Sequence, residues 1–222
     1  MMTQPDVDKL IRQTRQYEFA DGLRDLQMAM LLGLGGVAVW FTLEPMWMSF
    51  VANLVKTWGR WAAWINMLPV ILAPLAAWGM LRLMNVLRQR WLWRDSGMVK
   101  SSRWIVPRRV NILSAVIMLG GVALGFGLRS LGWADDVFML RTLWAATGWS
   151  FGYTLVGVGR NIGLMRYVWL GVIGGLASTS LLFLSLTFSQ TALVFGLGWC
   201  LLLAVSGTVV LRHAFLSVHK SH

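Results

Sequence analysis

Six runs of apolar residues, separated by short polar segments, dominate the chain. Read by their apolar extent, they cover about 26–43, 62–87, 110–128, 142–158, 167–186 and 191–211. Each run approaches the roughly 20 residues that a helix needs to cross a bilayer core about 30 Å thick. The pattern therefore predicts an all-α fold, a polytopic transmembrane helical bundle with about six spans, in which little chain remains for a soluble domain.

The polar segments group these runs into three helical hairpins. We expect an amphipathic N-terminal segment (1–25), a first hairpin (26–87), a basic loop (88–109), a second hairpin (110–158), a third hairpin (159–211) and a tail (212–222). The connection inside the first hairpin carries Trp47, Trp58 and Trp61, whose amphipathic rings suit the headgroup layer. Part of that connection is expected to form an interfacial helix, and Pro69 and Pro74 are expected to kink or break the run that follows.

Three of the runs contain a glycine pair in a similar context. Leu34–Ala38 and Leu119–Ala123 read LGGVA, and Ile173–Ala177 reads IGGLA. Small residues let helix backbones approach closely in lipid, where no hydrophobic effect drives helices together. The pattern predicts three repeated hairpins packed through glycines, although spans rich in Gly, Ala, Val and Leu also produce such matches by chance. The predicted helix-packing residues are Gly35, Gly36, Gly120, Gly121, Gly174 and Gly175.

The basic residues lie mostly on one side of the predicted spans. The chain carries a formal net charge of +11 and a sequence pI near 11.2, yet only 13% of its residues are charged. Because cytoplasmic loops carry an excess of Lys and Arg, both termini are expected in the cytoplasm, with the chain in the inner or plasma membrane. This placement explains the charge without a nucleic-acid partner. The sixteen basic residues then on the cytoplasmic side, of 20 in all, are Lys9, Arg12, Arg15, Arg24, Arg82, Arg88, Arg90, Arg94, Lys100, Arg103, Arg108, Arg109, Arg160, Arg166, Arg212 and Lys220.

The loop 88–109 combines seven basic residues with three tryptophans. Such a segment can hold anionic lipid headgroups or the acidic surface of a partner. The alternative is that its charge only fixes topology. The candidate contact residues are Arg88, Arg90, Arg94, Lys100, Arg103, Arg108 and Arg109.

Residues that usually carry chemistry are sparse. The chain has one cysteine, Cys200, and all three histidines lie in the last ten residues, which excludes a Cys- or His-based metal or haem site within the spans. The nine acidic residues, Asp25 among them, all lie outside the centres of the spans. Asp135 and Asp136 are interpreted as a helix start, where acidic groups are favourable, with an acid–base pair as the alternative. We therefore predict no catalytic residue, no metal and no cofactor.

These observations favour a non-enzymatic membrane subunit, or an accessory protein, of a multi-component transport system. Its expected partners are the lipid bilayer and a protein partner or a second copy, with anionic lipid as a further candidate. One alternative is a membrane-embedded enzyme that acts on lipids, using Asp95 with Arg94 and Lys100, or Asp135 with Asp136. The other is a membrane sensor or scaffold that uses the N-terminal helix and the basic loop.

Overall fold

A computed structural model describes residues 22–87, 90 and 106–219. These residues form seven α-helices and one 3-10 segment, and no strand occurs among them, so the predicted all-α fold is confirmed. In chain order the elements are α1 (Leu23–Thr42), α2 (Pro45–Trp58), the 3-10 segment (Arg60–Met67), α3 (Leu68–Leu87), α4 (Arg108–Ser130), α5 (Asp136–Ile162), α6 (Met165–Ser180) and α7 (Phe188–His219).

Four described segments are long and apolar enough to cross a membrane: Leu23–Thr42, Arg60–Val86, Arg108–Ser130 and Phe188–His213. The chain is therefore a membrane protein by length and composition. Helix α5, with 27 residues, and helix α6, with only 16 residues, are not among these four segments. The segment Leu181–Thr187, which the sequence analysis placed largely in the fifth span, is not helical.

Neighbouring helices run antiparallel. Gly22 at the beginning of α1 contacts Gly207 on α7, and Val110 at the beginning of α4 contacts Gly157 near the end of α5. The first turn of α6 contacts Gly159 of α5. The beginnings of α1, α4 and α6 therefore lie at the same end of the bundle as the ends of α5 and α7. We call this the proximal end, and the opposite one the distal end.

Helix packing does not follow the predicted hairpins throughout. Helix α1 packs mainly on α7 and also on α3, while α5 packs on both α4 and α6. Helices α6 and α7, the two members of the predicted third hairpin, contact each other less than each contacts a helix of another hairpin. The core formed at these contacts contains Met28, Ala29, Leu155, Val158, Ile162, Tyr167, Leu170, Leu181, Phe195, Trp199 and Leu203.

Small residues set the distance between α1 and α7. A Cβ added at Gly36 would lie 2.7 Å from the Cα of Gly196 and 2.8 Å from the carbonyl oxygen of Ala192. Further along the pair, a Cβ at Gly33 would lie 3.0 Å from the Sγ of Cys200. The two backbones can approach this closely only because no side chain lies between them.

The connection between α1 and α3 forms a helical hairpin, defined here as residues 45–67 and called the tryptophan hairpin. Helix α2 and the 3-10 segment meet at Gly59, which adopts a φ of 82°. Trp47 ties the hairpin to the bundle, since its ring lies 4.9 Å from that of Phe41 and its indole N–H donates to Asn66 Oδ1 at 3.0 Å. The predicted helix in this connection is therefore present. Of the two prolines expected to kink or break the run, Pro69 follows the change from 3-10 to α-helix at Leu68, whereas α3 does not end at Pro74 but continues through it.

Candidate functional site

A buried carboxylate at the proximal end is the most polar feature of the helix core. Asp25 lies in the first turn of α1, and its side chain is 0% exposed. The Tyr167 hydroxyl donates a hydrogen bond to Oδ1, and the Ser206 hydroxyl donates to Oδ2 at 3.1 Å. Nη2 of Arg166 lies 3.6 Å from the same Oδ2. One carboxylate therefore joins α1 to both α6 and α7.

Glycines bring these side chains together. Gly22, in a left-handed conformation with φ 71°, contacts the backbone of Gly207, so the first turn of α1 lies directly against α7. Gly163 ends α5 with φ 80°, also left-handed, and α6 begins two residues later. A left-handed glycine is the usual way to end a helix and reverse the chain. The short turn places Arg166 and Tyr167 in the first turn of α6, facing α1.

The network compensates for the burial of a charge. A buried carboxylate is unfavourable by several kcal/mol unless it is paired and hydrogen-bonded. Both oxygens of Asp25 accept hydrogen bonds, and the Arg166 guanidinium also lies 4.9 Å from the Tyr167 ring centroid and 3.3 Å from its hydroxyl oxygen. Charge-assisted hydrogen bonds of this kind are roughly twice as strong as neutral ones. The arrangement can therefore hold three helices together at the proximal end.

This network was not predicted from the sequence. Asp25 was expected to belong to the polar N-terminal segment, whereas α1 begins at Leu23 and includes it. The residue does lie near a helix end rather than at the centre of a span, as expected. The sequence does contain one indication of this contact. Asp25 lies at the start of one apolar run, and Arg166 and Tyr167 lie at the start of another. The contact with Ser206 required the three-dimensional arrangement.

Hydroxyl groups join α4 to α5 near the middle of α5. The Ser114 Oγ lies 2.7 Å from the Ser150 Oγ and 3.0 Å from the Thr154 Oγ1. Ser114 and Thr154 both also donate to the backbone carbonyl of Ser150. These side chains therefore satisfy one another between helices rather than lining an open polar pocket.

Two indoles fix α6 between its neighbours. Trp149 of α5 donates from Nε1 to the Thr179 hydroxyl at 2.8 Å, and Trp199 of α7 donates to the Ser178 hydroxyl at 3.2 Å. The Trp199 ring also covers Gly174, where no larger residue fits. Helix α6 therefore has one tryptophan contact on each side.

The predicted packing glycines fall into two groups. Gly36 and Gly121 lie against other helices, and so do Gly174 and Gly175, which contact the Trp199 and Trp149 rings. A Cβ added at Gly35 or Gly120 would meet nothing within 4 Å, so these two make no helix contact in the described chain. The reason is geometric, because neighbouring residues on a helix point about 100° apart and only one of a pair can face a given neighbour.

The structure describes both residues of the predicted acidic pair and some residues of the predicted basic loop. Asp135 caps α5, with Oδ1 accepting from the Phe138 N–H at 2.6 Å, and Asp136 pairs with Arg129 at the surface. The interpretation of these aspartates as a helix start is therefore confirmed. Of the basic loop, Arg90, Arg108 and Arg109 are exposed. The residues Arg88, Arg94, Lys100 and Arg103, with Asp95 and the N-terminal residues 1–21, lie outside the described residues.

The grooves between described helices are mainly apolar. One of about 220 Å³ lies between α6 and α7, beside Gly174 and Trp199, and another of about 320 Å³ lies between α1 and α3, beside Phe41 and Pro69. Within the described part of the chain, no three His, Cys, Asp or Glu residues come close enough to hold a metal ion. No protein-family model, curated protein or solved structure matches the sequence or fold.

Proposed function

We propose that the chain is a non-enzymatic membrane subunit, or an accessory protein, of a multi-component transport system. In this role it works with a protein partner or a second copy of itself inside the bilayer. The observation that carries the proposal is the packing of α4, which uses only one of its faces among the described residues 22–87, 90 and 106–219.

Helix α4 has one packed face and one open face. Gly121 and Gly125 contact Ala146 and Thr142 of α5 along the packed face. Gly120 and Gly127 are seven residues apart and share another face, on which a Cβ added at either position would meet nothing within 4 Å. Glycines on a lipid-facing surface allow a second helix to approach closely. The open face of α4 is therefore the proposed contact for a membrane helix of the partner.

The proposed topology has six spans, with both termini in the cytoplasm of a cell whose inner or plasma membrane holds the chain. The antiparallel order supports it, because α5 and α6 run between the same two ends as the four more apolar segments. The proximal end would then be cytoplasmic, in agreement with the basic residues at that end. Reporter fusions at Gly97 and His222 are expected to give cytoplasmic signals, and a signal from the opposite side at either position would contradict the six-span topology.

The partner contact can be tested by co-purification. We expect Gly120→Leu to lower the amount of partner recovered with the tagged chain about tenfold in mild detergent. A loss of about 1.4 kcal/mol of binding free energy is enough for a tenfold change in affinity. Gly35→Leu is the matched control, because it introduces the same side chain at an open glycine of another helix. Both variants should retain the melting temperature of the parent.

Equal recovery with both variants would contradict a contact at α4. A lone chain that retains bound lipid would instead favour the lipid-acting enzyme. Repeating the purification across a salt series tests the basic loop, because attraction through exposed charges such as Arg108 and Arg109 is screened over about 8 Å at physiological ionic strength. If the amount of partner recovered did not change with salt, the basic loop would not contribute to binding and the contact through α4 would remain.

A further inference from the structure

We propose that the tryptophan hairpin, residues 45–67, binds anionic phospholipid headgroups at the distal end of the protein. This surface is separate from the open face of α4. Three features of the hairpin support lipid binding: its position, its attachment to the bundle and the side chains that it exposes.

The position follows from helix lengths. Helices α1 and α3 each contain 20 residues. At 1.5 Å per residue, each is about 30 Å long and is sufficient to cross the hydrocarbon core without residues of the connection between them. The chain between Thr42 and Leu68 therefore lies at the distal headgroup layer, although the second apolar segment formally begins at Arg60.

The hairpin is held in place by its inner side. Val51 of α2 and Ala62 of the 3-10 segment are buried, and Trp47 binds both Phe41 of α1 and Asn66. The contact between Trp47 and Phe41 therefore joins the hairpin to the end of α1. The side chains on its outer side are exposed in the part of the chain that the structure describes.

The outer side combines indole rings with positive charge. Trp58, Trp61 and Trp64 are 71%, 83% and 69% exposed. Such large exposed apolar groups are unfavourable in water but favourable among headgroups, where the ring contacts both acyl chain and polar atoms. Lys56 and Arg60 are exposed beside them and are the only charged residues in 45–67. Because these two positive charges have no acidic residue beside them within 45–67, a lipid with a net negative charge fits better than a zwitterionic one.

A fluorescent probe on the full chain tests the proposal. The chain carries Cys200→Ala and Trp61→Cys, labelled with an environment-sensitive dye and reconstituted in phosphatidylcholine vesicles with or without phosphatidylglycerol. We expect quenching by a lipid spin-labelled near its headgroup and protection from acrylamide in water. Phosphatidylglycerol should strengthen both effects severalfold in the parent, and Lys56→Gln with Arg60→Gln should remove that difference.

Two controls separate the outcomes. Arg129→Gln removes a charge at the same end that is already paired with Asp136, and it should preserve the response to phosphatidylglycerol. A second probe at Trp64→Cys guards against a local effect of the first. Full access of acrylamide to both probes would overturn the proposal and leave the indoles available to a protein. The same response to phosphatidylglycerol without Lys56 and Arg60 would overturn the role of charge.

Discussion

The Gly36→Leu variant is expected to melt at a much lower temperature in detergent than the parent, while Gly35→Leu melts with the parent. At Gly36 the new side chain meets the Cα of Gly196 and the carbonyl oxygen of Ala192, both backbone atoms that cannot move aside. Overpacking typically lowers the free energy of unfolding by 1–3 kcal/mol. Because the new side chain meets backbone atoms, we expect a loss of about 3 kcal/mol or more for Gly36→Leu. Gly35 faces open space one residue earlier.

The measurement is thermal unfolding of the purified variants in one detergent. Membrane insertion should be the same for both, since each substitution adds an apolar side chain to an apolar helix. Gly121→Leu provides a second case with a comparable expected loss, because its obstacle is the Cβ of Ala146, which is bonded directly to the backbone and cannot rotate away. Equal melting of the Gly36 and Gly35 variants would show that α1 and α7 are not in close contact.

The Asp25→Ala variant is expected to lose about 3–5 kcal/mol of stability, as buried ion pairs do when one partner is removed. The substitution takes the acceptor away from Tyr167 and Ser206 and the carboxylate away from Arg166. Tyr167→Phe removes the hydroxyl that donates to Asp25 and accepts from Arg166, and it should lose about 1.5–3 kcal/mol. The double variant should lose less than the sum of both, because the two side chains contact each other.

Asp136→Ala is the control for this series. It also breaks an ion pair, with Arg129, but at the exposed distal surface, where such pairs contribute about 0–1 kcal/mol. Unfolding of all four variants under the same conditions gives the comparison. If Asp25→Ala were as stable as Asp136→Ala, the buried carboxylate would not hold the helices together.

The sequence predicted the positions of the helices better than it predicted which helices pack against each other. Apolar runs located the membrane segments to within a few residues, because the need for about 20 apolar residues is a property of the bilayer alone. The choice of partner helix depends on shape at individual positions. Gly36 and Gly121 occupy the same position in matching LGGVA segments, yet one contacts Gly196 of α7 and the other Ala146 of α5. Nothing in the local pattern distinguishes these two outcomes.

The candidate site was harder to predict than the fold for a related reason. A carboxylate at the edge of a span is ordinarily solvated or bound to headgroups, so the position of Asp25 in the sequence does not predict its burial. Its burial arises because Gly22 lets α1 approach Gly207, and because the turn at Gly163 directs Tyr167 towards α1. Three elements from different parts of the chain must meet before the carboxylate has partners.

The pairing of α1 with α7 has a consequence for biogenesis. Translation delivers α1 to the membrane long before α7, so the Gly33 and Gly36 surface must wait in lipid, or against an insertion factor, until Gly196 and Cys200 have emerged from the ribosome. The unit of α4, α5 and α6 is complete earlier and can assemble first. Over that interval Asp25 lacks its contact from Ser206, and until α6 has emerged it also lacks the contact from Tyr167, which leaves α1 open to membrane quality control.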